Sequence, residues 1–249
     1  LRQVFGTYDA LRTGGAVEDY PIEPAPQQGD YSVWFEQQDV DVAEAYWRER
    51  LAGLSGPTRP GFDRGAPPDE STHGVHDVEL LRLPAELTST LARWAKESGL
   101  TLNALVQATW AVLASRYSGE SRIVFGAVKA CRRSCIEGAD RMVGIVLNTL
   151  PFTIDVDPDE DALAFLGRVR ETWVALREHE HTPLVRMKEW SEYVGRPPLF
   201  ESLVCFDAME YADWMRKLEP SWDARKIDIW GQPDMPLALN AYGGERLLF

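Results

Sequence analysis

The chain has 249 residues, 45% hydrophobic and 26% charged, the balance of a soluble globular protein long enough to bury a core without metal or disulfide staples. Its 26 basic and 39 acidic side chains leave a net charge of −13, which excludes a general nucleic-acid binder, since that needs a positive footprint. No apolar run approaches the ~18 residues of a membrane helix, no signal-peptide pattern opens the chain, and three cysteines at this length point to a reducing compartment, by default the cytoplasm.

In chain order, Leu1–Arg12 carries Leu1, Val4, Phe5, Tyr8 and Leu11 at helical spacing and is closed by Gly14-Gly15. It lacks an initiator methionine, and the chain stops within the apolar run Leu247–Phe249, so a fragment of a larger protein is expected. Ala16–Asp30 reads as a loop, broken by Pro21, Pro24, Pro26 and Gly29. Val40–Leu51 returns to helical spacing, with Val42, Ala45 and Tyr46 on one face and Asp39 or Asp41 as cap. Gly53–Thr72 is a second Pro/Gly loop. His76–Leu83 alternates weakly and predicts an edge strand ending at Pro84. Pro84 opens a helix at its favoured first-turn position, with Leu87, Leu91, Trp94 and Ala95 as one stripe.

Thr101 caps a further helix, Leu102–Tyr117, apolar around most of its circumference and therefore expected deep in the core. Ile123–Val128 and Met142–Pro151 predict two buried strands, joined by a basic, cysteine-bearing connection with Lys129, Arg132, Arg133 and Arg141. Asp161–Glu180 is a long helix with Leu163, Leu166, Val169, Trp173 and Leu176 on one side, and Pro183 opens a shorter one through Trp190. Leu199–Phe206 predicts a strand. Leu237–Ala241 and Arg246–Phe249 predict a hairpin around Gly243-Gly244. Helices alternating with strands indicate an α/β (α+β) layered sandwich.

No G-x-S-x-G, Walker or G-x-G-x-x-G pattern is present. Cys131 and Cys135 lack a second matched ligand pair, so they read as free thiols rather than a metal site. A redox role would need a depressed thiol pKa, for which Arg132 and Arg133 are the nearby charges. His73 and His76 border a loop and read as solvated. In Glu178-His179-Glu180-His181, neighbouring residues diverge around a helix, so the group reads as a helix end, with a structural hydrogen bond as the specific role of His181. Trp214, Trp222 and Trp230 fall in the irregular segment Asp207–Pro236 and need a surface to pack on, this domain's own or another's. These residues contain no self-contained catalytic set.

A collinear series of motifs goes further. Ser115-Arg116-Tyr117-Ser118-Gly119 followed by Ile123-Val124-Phe125-Gly126 is similar to an sRysG…vvFG segment. Lys129–Arg133 aligns without gaps with a tvSGRP element, of which Arg132 is the residue kept. Gly138, Met142-Val143-Gly144 and Asn148-Thr149-Leu150-Pro151 match pGie.MvGlfiNTlP, with Val146 in place of the usual phenylalanine. His181-Thr182-Pro183-Leu184 is similar to h.PL, Leu199 through Phe206 to LFdsl.vFe, and Ala45-Tyr46-Trp47-Arg48 through Leu51 to yWr..L. Together these motifs resemble the condensation domains of nonribosomal peptide synthetases, of the chloramphenicol-acetyltransferase-like superfamily.

The resemblance implies a two-lobed enzyme whose active-site tunnel lies between the lobes. Residues 1–72 would be the inter-lobe helix and linker after the catalytic motif, and residues 73–249 the C-terminal lobe, a mixed sheet covered by helices and truncated at its end. Carrier proteins would deliver donor and acceptor on phosphopantetheine arms from both faces, with no cofactor bound directly. Lys129–Arg141 would be the loop beneath the tunnel, with Arg132, Asn148 and Ala130 lining or supporting it. Asp207–Pro236 would be the crossover onto the other lobe, with Trp214, Trp222 and Trp230 at that contact. The family's catalytic H-H-x-x-x-D-G element is not in this chain, which has no adjacent histidine pair. The fragment alone is therefore expected to be inert. Its implied partners are the N-terminal lobe, donor and acceptor carriers and adjacent synthetase domains, with neither nucleic acid nor membrane. The implied reaction is amide formation for secondary-metabolite and antibiotic synthesis. A noncatalytic docking member and a relative using coenzyme A thioesters are the alternatives; epimerising relatives usually vary at the NTlP element retained here.

Overall fold

Two antiparallel strands, β1 (Arg122–Ala130) and β2 (Leu147–Asp155), anchor the fold in a computed structural model that describes residues 2–19, 24–59, 61, 77–133, 135–193, 198–208 and 235–249. Their register runs from Arg122↔Asp155 to Ala130↔Leu147. Strand β3 (Ser202–Asp207) pairs parallel with β1, and β4 (Leu237–Tyr242) pairs parallel with β3, which gives a mixed sheet ordered β2-β1-β3-β4. Ile123 to Ala127 are buried without interruption, as a central strand covered on both faces requires. Phe125 and Phe152 stack across the pair at 5.1 Å, and each fully buried ring contributes about 1.5–3 kcal/mol.

Seven helices are described: α1 (Arg2–Arg12), α2 (Gln28–Glu36), α3 (Val40–Leu51), α4 (Ala85–Glu97), α5 (Leu102–Ser118), α6 (Ala162–Ala175) and α7 (Leu184–Trp190). Helices α5 and α6 pack on each other and on the sheet, while α7 joins β2 to α3. Helix α3 is capped by Asp39, whose carboxylate accepts from the Asp41 and Val42 amides. Helix α5 is capped by Thr101, as expected. Among the described residues no helix is long and apolar enough to cross a membrane.

Among the described strands β2 is one of the two edges, and several of its outward backbone groups meet side chains. Cys131 N–H donates to Val146 and Val156 N–H to Ser121, so the hydrogen-bonded pairs fall on the even residues of β2 and the odd ones face outward. The Thr149 N–H donates to Asn148 Oδ1 at 2.9 Å. Pro151 has no N–H. The Thr153 carbonyl accepts from Arg50 and the Asp155 carbonyl from Arg168. Proline and charged side chains are means of blunting an edge against another strand.

Several expectations are corrected. The loop predicted over Ala16–Asp30 gives way to α2 at Gln28, because Pro26 precedes the helix and the Asp30 carboxylate takes the Gln27 amide at 2.7 Å. Helix α3 buries Ala43, Trp47 and Leu51, not Val42, since the largest apolar side chain sets the inward face. Helix α5 is less enclosed than predicted: Val112 and Leu113 are exposed, while Ala104, Ala108 and Ala111 give the close approach. Of the stripe predicted on α4, Ala95 is buried as expected but Leu87 and Trp94 are exposed, with Thr88 buried in their place, and Pro84 caps that helix from one position before its start. Residues 77–83 form no strand; Arg82 bridges Leu248, and Leu81 exchanges backbone bonds with Phe249. The predicted hairpin is reduced to one bridge, Tyr242↔Leu248. Strand β2 starts at Leu147, not Met142, because the Met142 and Gly144 carbonyls are taken by a guanidinium instead of a neighbouring strand.

Gly126 lies where β1 meets both neighbours, opposite Pro151 and Leu203. A Cβ there would lie 2.5 Å from Cε2 of Phe200, itself fully buried. Gly126→Ala is therefore expected to lower the unfolding free energy by about 1–3 kcal/mol. Urea denaturation reads this, and an unchanged midpoint would show that Phe200 does not pack on β1 in this way.

Candidate functional site

The end of β1 runs into a short 3-10 turn, Cys131–Arg133, and a loop that returns as β2. Arg132 shapes that loop. Its Nη1 donates to the carbonyls of Ala139 and Met142, both at 2.8 Å, and its Nη2 donates to the Gly144 carbonyl at 2.6 Å. A planar fork with five donors can gather carbonyls from one short loop; a lysine has a single ammonium on a flexible stem. Inside the loop, Cys131, Met142 and Val146 form a small buried cluster with Tyr31, Cys135 and Ile136 beside it. Helix α2 thus packs onto the loop through Tyr31. It also does so through Gln28, whose Oε1 occupies the space a side chain at Gly144 (φ +155°) would need.

Asn148 and Lys129 face each other across the strand pair and converge on one residue. Asn148 Nδ2 donates to the backbone carbonyls of Glu180 at 3.0 Å and Thr182 at 2.7 Å. Lys129 Nζ meets the Glu180 carboxylate at 3.0 Å, donates to the Trp173 carbonyl at 3.2 Å and sits 4.9 Å from the Trp173 ring centre. The two charged side chains are only 9% and 5% exposed. Sequence reasoning missed this pair. The available signal was a lysine in an otherwise apolar strand, which a buried setting tolerates only with a counter-charge.

Among the described residues no disulfide joins Cys131, Cys135 or Cys205. Cys131 is buried with its Sγ 3.3 Å from the Glu180 carbonyl, and burial, reinforced by the Glu180 charge, pushes its thiol up to about 12. That opposes the activation Arg132 was considered for; its guanidinium is turned to the loop carbonyls. Among the described residues no three His, Cys, Asp or Glu side chains cluster as metal ligands. His179 stacks on Tyr46 at 4.0 Å, and His181 meets Trp34 and Phe35 edge-on. Burial holds both imidazoles below their ordinary pKa. Among the described residues His181 makes ring contacts rather than the expected hydrogen bond.

Ala130 is exposed beside its cross-strand partner Leu147, which is 59% exposed, and Val143 and Ile145 are 83% and 80% exposed. These four make an apolar strip at the loop. Trp214, Trp222, Trp230, His73 and His76 lie outside the described residues. The site therefore combines a guanidinium-bound loop, a buried polar hub and an apolar rim. Arg132 and Asn148 direct their donors to backbone carbonyls, and His179 and His181 pack against aromatic rings.

Replacing Arg132 with alanine is expected to speed amide hydrogen exchange across 139–146 by about tenfold or more while Ile123–Ala127 stay protected, since local opening needs only the loop contacts to break. Exchange mass spectrometry reads both segments; unchanged exchange in the loop would contradict the role given to the three carbonyl bonds.

A family profile described as Condensation domain matches residues 1–229. A linear gramicidin synthase protein of Brevibacillus parabrevis is 33% identical over 248 residues, covering the whole chain but 3% of that protein. Among solved structures, the X-domain in the complex of the X-domain and OxyB from teicoplanin biosynthesis aligns with a TM-score of 0.70 at 24% identity, covering 94% of this chain and 52% of that one. The first condensation domain of the calcium-dependent antibiotic synthetase aligns at 0.70 with 21% identity, covering 97% and 53%. These structures share the fold; the motif series and the profile fix the family. The chain belongs to the condensation-domain family of nonribosomal peptide synthetases.

Proposed function

We propose that residues 73–249 act as the C-terminal lobe of a condensation domain, with residues 1–72 as its inter-lobe helix and linker. The domain would join acyl or aminoacyl thioesters held on phosphopantetheine arms of donor and acceptor carriers. The observation that carries the reading is the 131–146 loop: Arg132 holds it, and it presents the apolar strip of Ala130, Val143, Ile145 and Leu147. Exposed apolar groups of this kind mark a surface that another body covers. The N-terminal lobe is the proposed cover, and the proposed crossover 207–236, with Trp214, Trp222 and Trp230, would reach the same lobe. Adjacent synthetase domains and the carriers are the remaining partners, and the cytoplasm is the proposed location.

In the reaction, the acceptor amine attacks the donor thioester carbonyl, a tetrahedral oxyanion forms, and collapse makes the C–N bond and breaks the C–S bond. The nitrogen loses a proton and the released sulfur gains one. Holding two tethered substrates together supplies much of the rate, and donors near the oxyanion supply more. This lobe contributes a shaped wall through Ala130, Arg132 and Asn148. Proton transfer would fall to the family's histidine element, which these 249 residues do not contain.

A second reading is a noncatalytic docking member that recruits a carrier or tailoring partner. It is favoured by the changed tvSGRP element and by the fold shared with an X-domain crystallised in complex with OxyB. A relative acting on coenzyme A thioesters is the third.

The test is amide synthesis by the intact domain given loaded donor and acceptor carriers, beside the isolated 249 residues. Amide from the intact domain, dependent on holo rather than apo carrier, and none from the isolated residues is expected. No amide from an intact domain that has the histidine element would favour docking. Synthesis from free coenzyme A thioesters alone would favour the third reading, and turnover by the isolated residues would contradict the division of labour.

A further inference from the structure

We infer that Lys129 and Glu180 are a positioning pair for condensation, setting the frame in which the 131–146 loop meets the substrates. The inference rests on the reading above, in which that loop faces the tunnel. Its basis is the geometry of the hub. Glu180 joins three elements at once: its carboxylate meets Lys129 from β1, and its carbonyl accepts from Asn148 at the start of β2 and from the thiol of Cys131 in the loop's first turn. The following residues extend the tie, Thr182 through a second Asn148 bond and His181 through ring contacts with Trp34 and Phe35 of α2. Lys129 completes the frame by reaching the Trp173 carbonyl at the end of α6.

Stability alone does not account for charges in this place. A buried ion pair is often no better than apolar side chains of the same volume, because desolvating two ions offsets their attraction. What a paired charge adds is direction. Lys129 must meet Glu180, and only one placement of the 179–182 turn against the β1 and β2 ends allows it. The loop leaves β1 two residues after Lys129 and re-enters β2 one residue before Asn148, so both its ends are set by residues bound to Glu180. A small shift of this turn carries both ends of the loop, and displacements of about 1 Å remote from the chemistry can lower turnover about 100-fold.

The experiment compares wild-type and Lys129→Met/Glu180→Met in the intact domain. The double substitution removes both charges and keeps unbranched side chains in their space. Three readouts are taken: the thermal midpoint, kcat and KM for amide formation with loaded carriers, and the alkylation rate of Cys131 followed by mass spectrometry on its peptide. The expected result is a midpoint within about 3 °C of wild type, kcat lower by about 10- to 100-fold with acceptor KM nearly unchanged, and faster Cys131 alkylation as the Glu180 carbonyl leaves its thiol. Lys129→Met alone, which strands the carboxylate, is expected to lower the midpoint as well. Wild-type kcat and wild-type Cys131 reactivity in a folded double variant would overturn the inference while leaving the condensation reading intact. A wild-type domain that makes no amide would overturn the reading itself, and the inference with it.

Discussion

One guanidinium gathering three carbonyls decides the shape of the loop on which the functional account depends. Without Arg132 the stretch from Met142 to Val146 is an apolar sequence with every reason to extend β2. With it, the Met142 and Gly144 carbonyls are turned to Nη1 and Nη2, the chain leaves the sheet, and Val143 and Ile145 emerge on the surface. A carbonyl turned toward a guanidinium points away from the amide of a neighbouring strand. Here the side chain wins over the strand ladder, and an exposed apolar strip results. The loop is then pinned from outside by α2, through Tyr31 and the Gln28–Gly144 contact.

The sheet beneath supports this arrangement through side chains as much as through strands. Thr58 Oγ1 accepts the Val124 amide where β3 has not yet reached β1, and Asn148 serves two purposes. Its Oδ1 covers an outward amide of the edge strand, and its Nδ2 ties β2 to the Glu180 turn. The core is thus continuous with the site: Phe152 of the edge strand packs near Trp173, whose carbonyl and ring receive Lys129.

Much of the architecture was legible in the sequence because it rests on local chemistry. Asp39 and Thr101 cap their helices through their own side chains, and the apolar run at β1 is buried on both faces. Several of the failures depended on contacts made outside the element itself. Helix α2 forms against a loop about 110 residues away, the inward face of α3 is set by what Trp47 packs on, and β2 is shortened by an arginine from before the turn. At the site, the family motifs drew attention to Arg132 and Asn148. They gave no indication of Lys129 with Glu180, since a buried ion pair is visible only when both ends are placed.

In the proposed reading the Ala130 end of β1 lies at the substrate tunnel of a condensation domain. Ala130→Cys in the intact domain, with an acceptor carrier bearing a chloroacetyl-pantetheine arm, tests this directly. The expected result is a covalent carrier–domain adduct mapped to residue 130 and absent with apo carrier. A folded variant that forms no such adduct, while the same probe alkylates a cysteine placed on the outer surface of α6, would contradict it.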